Sequence, residues 1–536
     1  LGNWAKEKFG SHKPTPELYE HIFELLLRLK GNYLWPAMWR SDFTLDHIEN
    51  AILADKMGVI VGNSHHEPCC RSGQEFQILR HEHPEYGKDW SFLSNAEGIT
   101  KFWEDGLKRN QPYESLITIG MRGESDSYLM PEDATLEDNI NVLKSAITEQ
   151  KKLIKEYGNQ QHPQLLAIYK EVEDYYQGDE NTVGLKDWDV LENDIMMLCD
   201  DNFGYLRTMP SEEERKHPGG YGMYYHFDYH GAPVSYEWMN CNRLTKTWEQ
   251  MTQAYDYGIK DVWIVNVGDL KPMELPLTYF LDMAYDFDKY GSSNPNSVEE
   301  YTQNWVRQQF AAGNLTDEEV EEVADILTMY TDMNGDTKPE CLSATTYHAV
   351  NYNETQRHLA EALALEELAD KYLKKFENTE LYDAYYQLVY YPAAATATVN
   401  KLWSYMALNQ LYAKRGSLLA NMYGELVEQA LDQDRALTAA YNALGEDLNG
   451  KNKWYRMMVT SPGNNERVCG LTGKPHLNYT SWNPESSAAI VPTYVQGVVG
   501  SQLIVDVEGD EAGYSSGAMI TAGMAADMGR DVYAVP

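Results

Sequence analysis

Seven short stretches constrain this chain more than anything else in it. Each runs from apolar residues into polar ones: residues 32–39, 59–67, 115–126, 165–176, 194–202, 222–229 and 261–269. Around them lie segments whose apolar residues recur at helical spacing, among them 19–30, 46–56, 73–81, 96–110, 136–157, 244–257 and 276–290. Strands alternating with helices at this interval predict a parallel β/α architecture. Polar residues gathered at one end of successive strands are how a β/α barrel builds a site. A closed barrel has about eight strands, and seven are readable here. The expected fold is therefore α/β, a (β/α)8 TIM-like barrel whose first strand would precede Leu1. The alternative is a doubly wound open sheet, but no glycine-rich dinucleotide fingerprint follows any strand.

Beyond residue 295 the strand signals vanish. Helical patterns over 317–333, 354–376, 381–391, 393–413 and 418–444 predict an antiparallel helical bundle. From Cys469 onward short strand-like segments reappear, too few for a whole β-sandwich of about seven strands. The expected domains are a barrel over 1–294, a helical domain over 295–455 and a partial β-rich region over 470–536.

A formal charge of −38 opposes nucleic acid and anionic membranes as partners. No run of about 18 apolar residues is present to span a bilayer. The opening LGNWAKEKFG has neither the basic nor the apolar part of a signal peptide. Its expected setting is cytoplasmic, unless the N-terminus lies outside this sequence. The six cysteines show no paired C-x-x-C spacing and read as free or buried thiols, with a disulfide left open.

The chemistry concentrates at the strand ends. In YKEVEDYY, strand alternation would put Tyr169, Glu171 and Glu173 on one face, with Lys170 and Val172 on the other. Glu171 is then placed as a general acid, while Glu173 and Asp174 read as solvated surroundings. MRGESD supplies Arg122, Glu124 and Asp126, and a guanidinium can hold a ligand carboxylate by two parallel hydrogen bonds. Glu124 reads equally well as part of a surface ion pair. Asp200 and Asn202 would share a face by alternation, and at least one of them suits an N-cap. Consecutive His65, His66 and Glu67 cannot all face one ion from a strand, which favours substrate hydrogen bonding over metal. His226, Tyr229, Asn266 and Asp269 end two later strands, as rim groups or as solvated loops. Trp35 suits core packing, and Trp39 a stacking wall.

Carboxylates, Arg, His, Asn and aromatics at one end of a barrel suit a glycoside hydrolase, where two carboxyl groups flank the scissile bond. Two other readings are a metal-dependent barrel hydrolase using His65, His66 and Asp200, and a carbohydrate-binding protein without turnover.

The ordered segments GNYLWPAMW, GNSHHEP, GMRGESD, YKEVEDYY, CDDNFG, YYHFDYHG, WEQMTQAYDYG and VWIVNVGDLKPMELP resemble glycoside hydrolase family 115, densely over 1–290. That resemblance implies an inverting xylan α-1,2-glucuronidase acting on glucuronoxylan or aldouronic oligosaccharides, without metal or other cofactor. It further implies a secreted or periplasmic setting and a protein that is often a homodimer. Glu171 would be the general acid and Asp126 a catalytic or water-positioning group. Trp39, His65, Arg122, Asn202, His226, Tyr229 and Asn266 would line the uronate pocket. The family usually reads MRGDGDE where this chain has Met121 to Ser127 as MRGESDS. It also carries an acidic Asn-Asp-Glu motif on the first barrel strand, which is not in this sequence.

Overall fold

The computed structural model describes residues 2–454 except 37, 39–41, 232–233, 269, 296, 446, 449–450 and 453; beyond them it describes 492–495, 503–506 and 532–535. Trp39, Asp269 and Cys469 lie outside the described residues, as does most of the expected β-rich region. Each of the seven polar-ended stretches overlaps a strand: β1 Tyr33–Leu34, β2 Ile60–Gly62, β3 Ser115–Ile119, β4 Gln164–Ala167, β5 Ile195–Cys199, β6 Tyr221–His226 and β7 Ile259–Asn266. They form one sheet in sequential order β1 to β7. All neighbours are parallel, with Leu166 opposite Met196 and Met197 opposite Gly222. Sequential parallel strands with helical crossovers are the wall of a TIM-like barrel, as expected from the sequence.

Alternation on these strands sorts two sets of side chains. Leu116, Leu165, Ala167, Met197, Cys199, Tyr224 and Ile264 pack together as a core cluster, with Tyr33, Trp35 and Val262 against them. Trp35 thus takes the core role expected of it. The crossovers follow from equally plain signals. The Ala96–Asn110 helix buries Ile99, Phe102, Trp103, Gly106 and Leu107, a single stripe at helical spacing. The Leu136–Glu156 helix opens on a reciprocal capping box between Thr135 and Asp138.

The described residues cluster into two compact units. The first comprises Leu1–Phe227, Leu244–Val267 and Leu277–Val298; the second comprises Asp228–Arg243, Gly268–Pro276 and Glu299–Pro536. The centre of the second is the Tyr391–Lys414 helix, buried on nearly every side. The Asp317–Asp336, Glu354–Phe376 and Leu419–Asn442 helices pack against it. A helix apolar all round is what the middle of a bundle requires. Immediately before it, Tyr386–Tyr390 forms a π-helical turn that helical periodicity does not foretell. Of the tail, Leu503–Asp506 and Val532–Val535 pair in parallel. Among the described residues no disulfide forms: the Cys69, Cys70, Cys199 and Cys241 thiols are buried and that of Cys341 is exposed.

Candidate active site

The expected alternation through YKEVEDYY stops at Ala167, the last residue of β4. Lys170 turns the chain with φ 54°, Glu171 has helical φ/ψ, and Val172–Gln177 is a short helix. Glu171 and Glu173 therefore do not share a strand face, and Lys170 is not directed away from them by strand geometry. The same correction applies after β5. Asn202 has φ 70°, and Asp200 accepts from its backbone N–H at 3.0 Å, so a turn replaces the expected common face.

These turns bring the charged groups together. Arg122, just past β3, is buried and aims its guanidinium at Glu171 across the next strand end. Nε donates to one Glu171 oxygen at 2.8 Å and Nη2 to the other at 2.7 Å. Nη1 donates to the Asp126 carbonyl at 3.0 Å and also to the Asp126 carboxylate. One arginine thus carries both expected catalytic carboxyl groups, and its planar fork is the reason it can. Glu171 occupies the fork here, so a ligand carboxylate reaches Arg122 by displacing one of these bonds.

Asp126 collects further partners. The chain reaches it through two consecutive left-handed residues, Ser125 (φ 57°) and Asp126 (φ 64°). Strain of this kind persists where surrounding contacts over-determine it. His65 Nε2 lies 2.9 Å from Asp126 Oδ1, and Ser64 Oγ lies 3.1 Å from His65 Nδ1. Burial, reinforced by the Arg122 and Lys170 charges, pushes His65 well below the usual histidine range, so the ring is neutral. A neutral ring satisfies both contacts by donating Nε2–H to Asp126 and accepting the Ser64 hydroxyl at Nδ1. Lys170 Nζ stands 3.3 Å from the second Asp126 oxygen. Burial and the neighbouring Arg122 push that ammonium down to about 8, against the pull of Glu171.

Aromatic rings join this cluster to the later strands. Tyr169 meets His65 edge-on at 4.8 Å and stacks on His226 at 5.8 Å, and its hydroxyl donates to Asn202 at 2.6 Å. Tyr224 lies 4.4 Å from the His226 ring, and Asn266 Nδ2 reaches its hydroxyl at 3.5 Å. His226 is fixed in turn by buried Asp200, 2.6 Å from Nδ1, which also accepts the His226 backbone N–H at 2.9 Å. Glu173 faces elsewhere, pairing with Arg207 at 2.8 Å, and burial pushes its carboxyl up. Glu124 pairs with Arg80 at 3.1 Å, as the surface reading of that residue expected.

The cluster therefore unites Glu171, Asp126, His65, Arg122, Asn202, His226 and Asn266. Tyr229 belongs to the second unit, where it is buried and bridges Tyr236 in both directions. Lys170, Tyr169 and Tyr224 complete the cluster without having been singled out from the sequence. For Tyr224 a signal existed, since it shares a β6 face with His226. Lys170 had none, because its position depends on a left-handed turn. Chemically the arrangement offers two carboxyl groups held apart by one guanidinium, a titrating ammonium beside them, and a wall of rings. Proton donation and water activation on opposite sides of a bound sugar need such a pair.

A model of one protein family, described as "Glycosyl hydrolase family 115", matches residues 1–341. Among solved structures, the chain is similar to a family GH115 4-O-methyl-alpha-glucuronidase, BtGH115A, described as having specificity for decorated arabinogalactans. The two share 28% identity with a TM-score of 0.69, over 93% of this chain and 61% of that one. This chain thus spans less than two thirds of its relative. A further match, to a GH138 enzyme targeting pectin rhamnogalacturonan II, has 13% identity and a TM-score of 0.43, over 82% of this chain and 62% of that one. No curated protein matches.

Proposed function

Because the chain belongs to glycosyl hydrolase family 115, we propose that it is an α-glucuronidase. It removes α-1,2-linked glucuronic acid, or its 4-O-methyl form, from glucuronoxylan and aldouronic oligosaccharides, with inversion at the anomeric carbon. The observation that carries this reading is the sharing of Arg122 between Glu171 and Asp126 at the ends of adjacent strands.

In the mechanism, Glu171 is the general acid. Both of its oxygens are engaged by Arg122, so one must be released before it meets a substrate. An entering uronate is an anion that competes for this guanidinium and for Lys170. That competition frees one Glu171 oxygen to carry the proton given to the departing glycosidic oxygen. Asp126, held by Arg122 and His65, accepts a proton from the water that attacks the anomeric carbon from the opposite face. The C1–O bond to the leaving sugar breaks as the bond to water forms. Glu171 ends deprotonated and Asp126 protonated, and exchange with solvent resets both. Asn202, His226 and Asn266 are placed to orient sugar hydroxyls, with neutral His65 a further hydrogen-bonding group.

Glu171→Gln tests the assignment. An amide cannot protonate the leaving oxygen, so turnover on aldouronic substrate is expected to fall by about 10²–10⁴-fold with binding retained. Near-normal turnover removes Glu171 from the role. A second reading of the substrate, decorated arabinogalactan, is favoured by what is said of BtGH115A. Comparing uronic acid release from the two polysaccharides decides between them.

A further inference from the structure

Building on the α-glucuronidase reading, we propose that a cleft beside the loop 122–126 is a second saccharide subsite, for an acidic sugar of the polysaccharide beyond the scissile bond. The cleft has a volume of about 530 Å³ and is lined by Arg80, His81, Lys88, Asp89, Trp90 and Glu124 among others. Small-molecule sites occupy about 300–1,000 Å³, so a sugar fits.

Its lining specifies the ligand. The whole chain carries 82 acidic against 44 basic residues, whereas this lining sets two permanent cations and an imidazole beside two carboxylates. Arg80 is built in place. Its Nη1 donates to the Lys88 carbonyl at 2.9 Å, and its guanidinium lies 5.6 Å from the Phe76 ring centre. The carboxylates Asp89 and Glu124 share the lining. Cations donate to a carboxylate, and carboxylates accept from hydroxyls. A ligand rich in both is an acidic sugar. Arg80 is already paired with Glu124, which leaves Lys88 and His81 to donate to a ligand carboxylate and Asp89 to accept from hydroxyls. A neutral sugar leaves Lys88 unused, whereas a dianionic phosphate brings more negative charge toward Asp89 and Glu124.

The cleft is also tied to the reacting groups. Buried Trp90, packed edge-on against Phe76 at 5.0 Å, donates its indole N–H to the Arg122 carbonyl at 2.9 Å. Arg80 pairs with Glu124 at 3.1 Å, and Gln77 Nε2 donates to Ser125 Oγ at 3.0 Å. Three side chains from the cleft segment thus hold three residues of the loop that carries Arg122 and Asp126. A sugar seated here is held next to the cleavage point, which favours acidic polymer over short substrates.

The test compares kcat/KM on a uronic acid-rich polysaccharide and on a short aldouronic oligosaccharide. His81→Ala, Lys88→Ala and the double variant are assayed, with Lys152→Ala, an exposed residue on the Leu136–Glu156 helix, as control. His81 and Lys88 are exposed, so folding is not at issue. The polymer-to-oligosaccharide ratio is expected to fall about tenfold in the double variant and to hold in the control, since one charge-assisted hydrogen bond is worth about that factor. An unchanged ratio overturns the subsite. If the unmodified protein releases uronic acid from neither substrate, the α-glucuronidase reading fails instead. The cleft is then judged by calorimetric titration with an oligogalacturonide: weaker binding by the double variant supports it, and equal binding overturns it.

Discussion

Among the single side chains, Lys170 is the group whose behaviour is most specific to this arrangement. Its ammonium faces Asp126 across 3.3 Å, and burial beside Arg122 pushes it down to about 8. A lysine displaced downward loses its charge as pH rises through that value. The cation proposed to attract a uronate is then present below about pH 8 and lost above it. KM for acidic substrate is expected to climb on the alkaline side of about pH 8. Lys170→Arg keeps its charge throughout and should shift that limb upward by at least about one pH unit. A pH profile of kcat/KM that is identical in the two proteins would exclude Lys170 as the titrating group. His65 behaves oppositely to a typical active-site histidine. Held neutral by burial and nearby cations, it contributes hydrogen bonds rather than charge.

Among the strands and helices, the turns after β3 and β4 are locked to each other through one guanidinium. Removing one partner of a buried ion pair costs about 3–5 kcal/mol because a charge is left without compensation. Glu171 and Asp126 keep 10% and 19% of their side-chain exposure, so Arg122→Gln should cost about 3 kcal/mol, the lower end of that range. Urea unfolding measures this; a change under about 0.5 kcal/mol would mean that the arginine does not join the two turns. Much of the pattern of strands and helices was legible beforehand. Every polar-ended stretch overlaps a strand, and the Ala96–Asn110 and Glu354–Phe376 helices fall where their apolar spacing put them. What escaped were departures from periodicity. Strand alternation fails at Lys170 and Asn202 because left-handed backbone redirects each side chain, and no hydrophobic pattern encodes that choice. The π-turn at Tyr386–Tyr390 escaped for the same reason, since its tyrosines read as ordinary helix.

Across the chain as a whole, acidic residues outnumber basic ones 82 to 44, and Arg122, Lys170, Arg80 and Lys88 are cations set among carboxylates in the cluster and the adjoining cleft. In the proposed function an acidic saccharide, repelled by the general surface, is met there by hydrogen-bond donors that are already oriented. No helix among the described residues is long and apolar enough to cross a membrane. What the sequence made legible of the site was its inventory, because carboxylates, Arg, His and Asn at strand ends are visible there. Their pairing was not, since Arg122 meets Glu171 only after two turns fold back on it. The proposed chemistry rests on these two carboxyl groups: Glu171 as acid and Asp126 as base hydrolyse an α-glucuronic linkage with inversion. Proton NMR of an aldouronic oligosaccharide during the first minutes of reaction reads that stereochemistry as it forms. β-Glucuronic acid, or its 4-O-methyl form, should appear first and only then equilibrate to the α-anomer. Initial release of the α-anomer, or no release of uronic acid at all, would contradict the assignment.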